Sequence, residues 1–218
     1  ENDKESCSDE KESRKAKITV GDTGADGEEP LSTTAEDFVV ANRSGETIII
    51  SKGEIASKGC TDVVLSNLEL CVIVIGDVMN ALRINNLKAC TVYSGPVAGS
   101  VLLNRCTESS LWIASRQIRL HHSHKCTYRL QTKSTPIIED CTSLMFGAYN
   151  LSYEGLQEQL KEANLSEFSE QWKDVQDFKW LRAQHSPNWS LVPDDDWGGA
   201  PKSDKVELLS RASVARAL

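Results

Sequence analysis

The sequence is short of positive charge, short of aromatics and without a long apolar run. Of its 218 residues, 24 are Lys or Arg and 32 are Asp or Glu, a formal net charge of −8. Such a chain lacks the basic surface that phosphate-backbone binding needs, which excludes nucleic acid as the main partner. Aromatics make up 6% of the residues, so a core must be mostly aliphatic. No stretch approaches the run of about 18 apolar residues expected of a membrane-spanning helix, and none near the N-terminus reads as a signal peptide. The seven cysteines, at positions 7, 60, 71, 90, 106, 126 and 141, form no CxxC pair. A zinc ribbon and a thioredoxin motif are thereby excluded. Without a secretion signal, the cysteines read as reduced thiols of a cytoplasmic protein rather than as a disulfide framework. No GxxxxGK[ST] loop and no GxSxG elbow occurs, so neither P-loop nucleotide binding nor a serine-hydrolase triad is indicated.

What is present is unevenly distributed. The first thirty residues hold ten acids, five bases and five apolar residues. They cannot bury enough surface to offset their ordering entropy, so residues 1–32 are expected to be an acidic, disordered linker. From Asp37 the pattern becomes strand-like. Phe38-Val39-Val40 and Thr47-Ile48-Ile49-Ile50 flank an Asn42-Arg43-Ser44-Gly45 turn. Leu68–Ile75 is echoed by Leu87–Tyr93, and one constant offset carries both Leu68 onto Leu87 and Cys71 onto Cys90. Cys106, Cys126 and Cys141 continue the series at similar spacings. Asn67, Asn86, Asn104 and Asp140 stand in the turns before four of these cysteines. A degenerate period of roughly 15–20 residues matches one coil of a parallel β-helix. In such a coil, cysteine serves as a small buried hydrophobe stacked on its counterpart in the next coil. The segment 60–147 has no amphipathic stretch long enough for a helical crossover, which excludes a doubly wound sheet. Tyr153–Ala163 reads as a short helix, with Leu156 and Leu160 four apart. Trp172, Val175, Phe178, Trp180 and Trp189 suggest an aromatic strap along the side of the β-helix. Residues 33–193 form the expected domain and 194–218 a flexible C-terminal tail.

Ser115–His122 contains the best candidate site. On a strand over 117–121, side chains alternate faces. Ile118 and Leu120 then point inward, while Gln117, Arg119 and His121 point to solvent. Exposed Arg and Gln on a strand are common, so alternation alone leaves a structural reading open. His121, His122 and His124 do not make a metal site, because neighbours on a strand face opposite ways and no further ligand has suitable spacing. The sparse acids Asp62, Glu69, Asp77, Glu108, Glu139 and Asp140 do not supply the converging pair that a polysaccharide-cleaving β-helix needs.

Gln117-Ile118-Arg119, Pro136–Cys141, Phe146-Gly147-Ala148-Tyr149, Trp172–Trp180 and Ser186-Pro187-Asn188-Trp189-Ser190 together resemble the C-terminal domain of tubulin-binding cofactor C, over residues 33–193. The resemblance implies an all-β fold: a right-handed parallel β-helix with a short C-terminal helix and an extended aromatic strap. It implies a monomeric, cytoplasmic GTPase-activating protein with no GTPase activity of its own, no cofactor and no metal. The target would be GTP on β-tubulin, in a complex with cofactors D and E that releases native αβ-tubulin. Related domains activate Arf-like GTPases or, in the actin-binding branch, act as non-catalytic cytoskeletal modules, and these are the alternatives. The Gln-x-Arg of the family's activators falls on Gln117 and Arg119, with Arg119 as an arginine finger and Gln117 orienting it or the attacking water. Glu139 would hold Arg119 by an ion pair, and Phe178 would border the contact surface. The N-terminal helical domain usual in the family has no matching heptad pattern before residue 31. The Met-Gly-Cys acylation signal of one relative is also missing.

Overall fold

The computed structural model describes residues 18–19, 32–167 and 169–193. It divides into two units, residues 1–35 and 36–218. In the first, β1 (Ile18–Thr19) pairs antiparallel with β2 (Ser32–Thr33). The linker expected over 1–32 therefore contains a short pairing, placed where its sequence is β-branched. The rest of that linker and the tail expected over 194–218 lie outside the described residues.

The second unit is a parallel β-helix. One ribbon of stacked strands runs β3 (Asp37–Ser44), β5 (Asp62–Glu69), β7 (Ala81–Lys88) and β9 (Val97–Thr107). It continues through β10 (Ser110–His121), β12 (Ile137–Glu139) and β14 (Gln176–Asp177). The other ribbon runs β4 (Thr47–Ile50), β6 (Val72–Ile75), β8 (Thr91–Ser94), β10 again, β11 (Thr127–Thr132), β13 (Leu144–Ala148) and β15 (Trp189–Leu191). Every pairing among these strands is parallel. β10 belongs to both ribbons. Its first half pairs with β8 and β11, and its second half with β9 and β12.

The register explains the core. Leu65, Ile84, Leu103, Leu120 and Ile138 stand in one inward column of the first ribbon. Ile73, Val92, Leu111, Tyr128 and Phe146 form the matching column of the second. All ten are buried. Full burial of such a side chain contributes about 1.5–3 kcal/mol, which makes these columns the main source of stability.

The corner between the ribbons is set by left-handed residues. Asn42, Asn67, Asn86, Arg105, His122 and Asp140 have φ between 49 and 58°. Gly45, Leu70, Ala89, Glu108, Lys125 and Ser143, three positions later in each coil, also have positive φ. Asn tolerates this conformation better than most residues. The Asn86 amide donates to Asn67 at 2.9 Å and the Asn67 amide to Asn42 at 3.1 Å, forming a ladder. In the next coil Arg105 takes the left-handed position, and Asn104, just before it, donates to Asn85 at 3.0 Å, one position before the ladder.

Five of the six described cysteines, all but Cys60, occupy two columns rather than one, because each coil places an inward residue after each of the two left-handed positions. Leu68, Leu87, Cys106, Ser123 and Cys141 follow the first; Cys71, Cys90, Ser109, Cys126 and Leu144 follow the second. The serines are stitched in, since Ser109 accepts from the Cys90 N–H at 3.1 Å and Ser123 from the Cys106 N–H at 3.3 Å. The six cysteines of this unit are buried and free. Burial pushes the thiols of Cys90, Cys106, Cys126 and Cys141 above their ordinary value.

Two short helices flank the solenoid. α1 (Glu54–Ser57) is a single turn between β4 and β5. α2 (Leu156–Glu162) is the helix expected after Tyr153. It packs Leu156 and Leu160 against Val74, Tyr93 and Ala114 on the outer face of the second ribbon. Gln159 is buried there, accepting from the Tyr153 hydroxyl at 2.7 Å and donating to the Gly76 carbonyl at 2.8 Å. The aromatic segment continues the stack instead of lying along its side. β14 and β15 add to β12 and β13, and Trp172, on a 3-10 turn over Gln171–Lys173, is fully buried at the end of the core.

Candidate functional site

The outer face of the first ribbon carries the site. In register, its outward column reads Val39, Val64, Arg83, Leu102, Arg119, Ile137 and Gln176. Ile118 and Leu120 are buried, while Gln117 and Arg119 are exposed, so the alternation read from the sequence holds over this stretch.

Arg83 and Arg119 occupy the same column two coils apart and are treated differently. Arg83 is ion-paired with Asp37, whose side chain is 1% exposed. Arg119 has no ion pair or hydrogen-bonding side-chain partner among the described residues. Its register neighbours are the exposed Leu102 on one side and the half-buried Ile137 on the other. A guanidinium between aliphatic side chains keeps its five donors unspent while part of its water shell is stripped away. Gln117, Arg119, Ser134, Thr135, Ile137 and Gln176 line a shallow cleft of about 300 Å³. The arrangement can present a fixed, unneutralised cation to an anion brought by a partner.

Glu139 does not hold Arg119. It sits beside His121 in register, pairing with His121 at 3.7 Å and with Lys179 at 3.7 Å. Lys179 also binds Asp140. The Lys179 ammonium holds the Asp140 carboxyl below its usual range, and Asp140 in turn raises Lys179. His122 approaches Asp140 at 3.5 Å, and its Nδ1 lies 3.1 Å from the Asn104 side-chain oxygen. The physical reason for the exchange is register. Strand alternation puts Glu139 one column away from Arg119, beside a lysine supplied by the next coil.

Phe178 is 53% exposed next to this group. Its N–H donates to the Ile138 carbonyl at 3.0 Å, which fixes its backbone as a continuation of the stack. Asp177 anchors the segment that follows, accepting from Ser186 at 2.6 Å and from the Asn188 amide at 2.8 Å. Leu102 and Lys179 are the site residues that strand alternation alone missed. Aligning Leu103 with Leu120 in the repeat places Leu102 beside Arg119; Lys179 has no such signal. Among the described residues, no three His, Cys, Asp or Glu side chains converge as metal ligands. No described helix is long and apolar enough to cross a membrane.

The family described as Tubulin binding cofactor C matches residues 60–178, a span that contains Gln117, Arg119, Glu139 and Phe178. The chain belongs to the tubulin binding cofactor C family. Tubulin-folding cofactor C of Arabidopsis thaliana is 41% identical over 155 residues, covering 71% of this chain and 44% of that protein. Tubulin-specific chaperone C of Bos taurus is 37% identical over 136 residues, covering 62% of this chain and 39% of that protein. The chain thus spans about two fifths of the length of these relatives. Among solved structures, Tubulin Binding Cofactor C from Leishmania major aligns with a TM-score of 0.51 at 23% identity, over 72% of this chain and 90% of that one. That likeness is one of fold.

Proposed function

We propose that this cofactor C domain is a GTPase-activating module of tubulin folding, with Arg119 entering the nucleotide site of GTP-bearing β-tubulin in a complex with cofactors D and E. The observation that carries the reading is the unpaired Arg119 on a strand held from both sides, in the column where Arg83 is neutralised. The names of the relatives at 41% and 37% identity support tubulin as the partner. Phosphoryl transfer spreads negative charge over the γ-phosphate and the leaving oxygen. A guanidinium inserted in trans meets that charge with several fixed donors. Such a finger is worth about 10³ to 10⁵ in rate, or roughly 4–7 kcal/mol of barrier. A rigid mount matters because positional slack forfeits much of this gain.

In this reading Gln117 orients the finger or the attacking water from the adjacent outward position. Phe178 borders the contact surface. Glu139 acts on the neighbouring column, by holding Lys179 and His121, and not on Arg119. The hydrolysis belongs to the partner's nucleotide, and the site of action is the cytoplasm, where buried reduced thiols persist.

The test is single-turnover GTP hydrolysis by tubulin with cofactors D and E, comparing this chain with its Arg119→Ala and Arg119→Lys variants. Stimulation should fall by about 10³ with Arg119→Ala. Lys should restore little of it, because a point charge does not reproduce the forked donors. Wild-type stimulation by a folded Arg119→Ala variant would falsify the assignment.

A further inference from the structure

Several cations of the solenoid are answered by acids of another coil. A cation on one coil faces an acid on another: Lys88 with Glu69, Lys125 with Glu108, Arg83 with Asp37, and Lys179 with Glu139 and Asp140. At the corner where β10 passes from one ribbon to the other, as at Arg119, no acid answers among the described residues. Arg116 lies there, at a register shift between Ser115 and Gln117. Lys133 occupies the equivalent corner of the next coil, since the hydroxyl of Ser134 donates to the Arg116 carbonyl at 3.2 Å. Both are exposed, and neither has an acidic partner among the described residues. Like charges on stacked strands repel, and in a chain of net charge −8 an acid was compositionally easy to place between them.

The two cations edge a pocket of about 340 Å³, walled by Ala98, Ala163 and Leu165, with Asn164 at the end of α2. Arg116 precedes Arg119 by three residues on the same strand, at most about 10 Å at the rise of a parallel strand. Small aliphatic walls with two cations at the mouth suit a protein side chain ending in a carboxylate. A free phosphate would call for several converging donors instead.

We infer that Arg116 and Lys133 form a docking edge for acidic side chains on the protein whose nucleotide faces Arg119. This rests on the activating function proposed above. The edge steers and holds the partner, while Arg119 acts on its nucleotide. Complementary charge at such a rim raises association and makes it salt-dependent.

The experiment measures stimulated GTP hydrolysis by tubulin, with cofactors D and E, against the concentration of this chain at low and high salt. Arg116→Glu and Lys133→Glu should each raise the half-saturating concentration about tenfold. The double variant should flatten the salt dependence, and Arg116→Lys should retain most of the affinity. Both positions are exposed, and unchanged thermal melting checks the fold of each variant. A double variant that saturates at the wild-type concentration with the wild-type salt dependence overturns the docking edge. A parallel co-sedimentation assay with GTP-loaded tubulin uses the Arg119→Ala background. Weakened binding there by Arg116→Glu supports the edge independently of the finger. Full hydrolysis by Arg119→Ala would remove the finger and leave the edge standing.

Discussion

Arg83 and Arg119 are the same residue type in the same column, and they should respond to substitution in opposite ways. Arg83→Ala takes the guanidinium away from the buried Asp37 carboxylate, so a loss of about 3 kcal/mol in unfolding free energy is expected by urea denaturation. Arg119→Ala removes a side chain with no partner among the described residues, and its cost should stay within about 0.5 kcal/mol. Stability separates the two arginines before any activity is measured. Lys179 sits between these extremes. It depresses Asp140, so their contact is complete above the ordinary carboxylate pKa and is lost as pH falls through the lowered one. In an NMR titration, Lys179→Met should return Asp140 toward the normal carboxylate range and shift the Phe178 ring resonances.

At the scale of elements, the corners decide the coil. Asn86 combines positive φ with a ladder bond to Asn67, so Asn86→Val should cost about 1–2 kcal/mol. Asn86→Gly keeps the conformation and should cost less, as thermal melting would read. The paired corner positions also explain what was legible in the sequence and what was not. The period of the coils and the outward direction of Gln117 and Arg119 follow from local alternation, which neighbouring residues determine. The division of the cysteines into two columns depends on two left-handed residues three apart, a detail that hydrophobic pattern does not carry. The partner of Glu139 depends on how far the chain travels before returning. Between Glu139 and Lys179 the chain passes through α2 and the Trp172 turn. Trp172 was visible as an aromatic but not as a plug, because its neighbours Tyr128 and Phe146 belong to earlier coils.

Across the whole molecule, stability is a sum along the stack, with each coil relying on its neighbours. The ends then matter most. Trp172 closes the last coils, and Trp172→Ala should cost about 3–5 kcal/mol and lower cooperativity, seen as a broader denaturation curve. The six described cysteines are buried inside this stack, and burial raises the thiols of Cys90, Cys106, Cys126 and Cys141, which disfavours their thiolates. Mass spectrometry after alkylation should find Cys60, Cys71, Cys90, Cys106, Cys126 and Cys141 unmodified in the native chain and modified in urea.

β10 is the one strand that both ribbons share, bonded to β8, β9, β11 and β12. Opening it locally means parting two sheets at once, so its central amides should exchange with solvent on the timescale of global unfolding. A side chain mounted there has no backbone hinge by which to withdraw. On the activating function proposed above, control over Arg119 would act through the lifetime of its encounters, which would end by release of the partner and not by folding the arginine away.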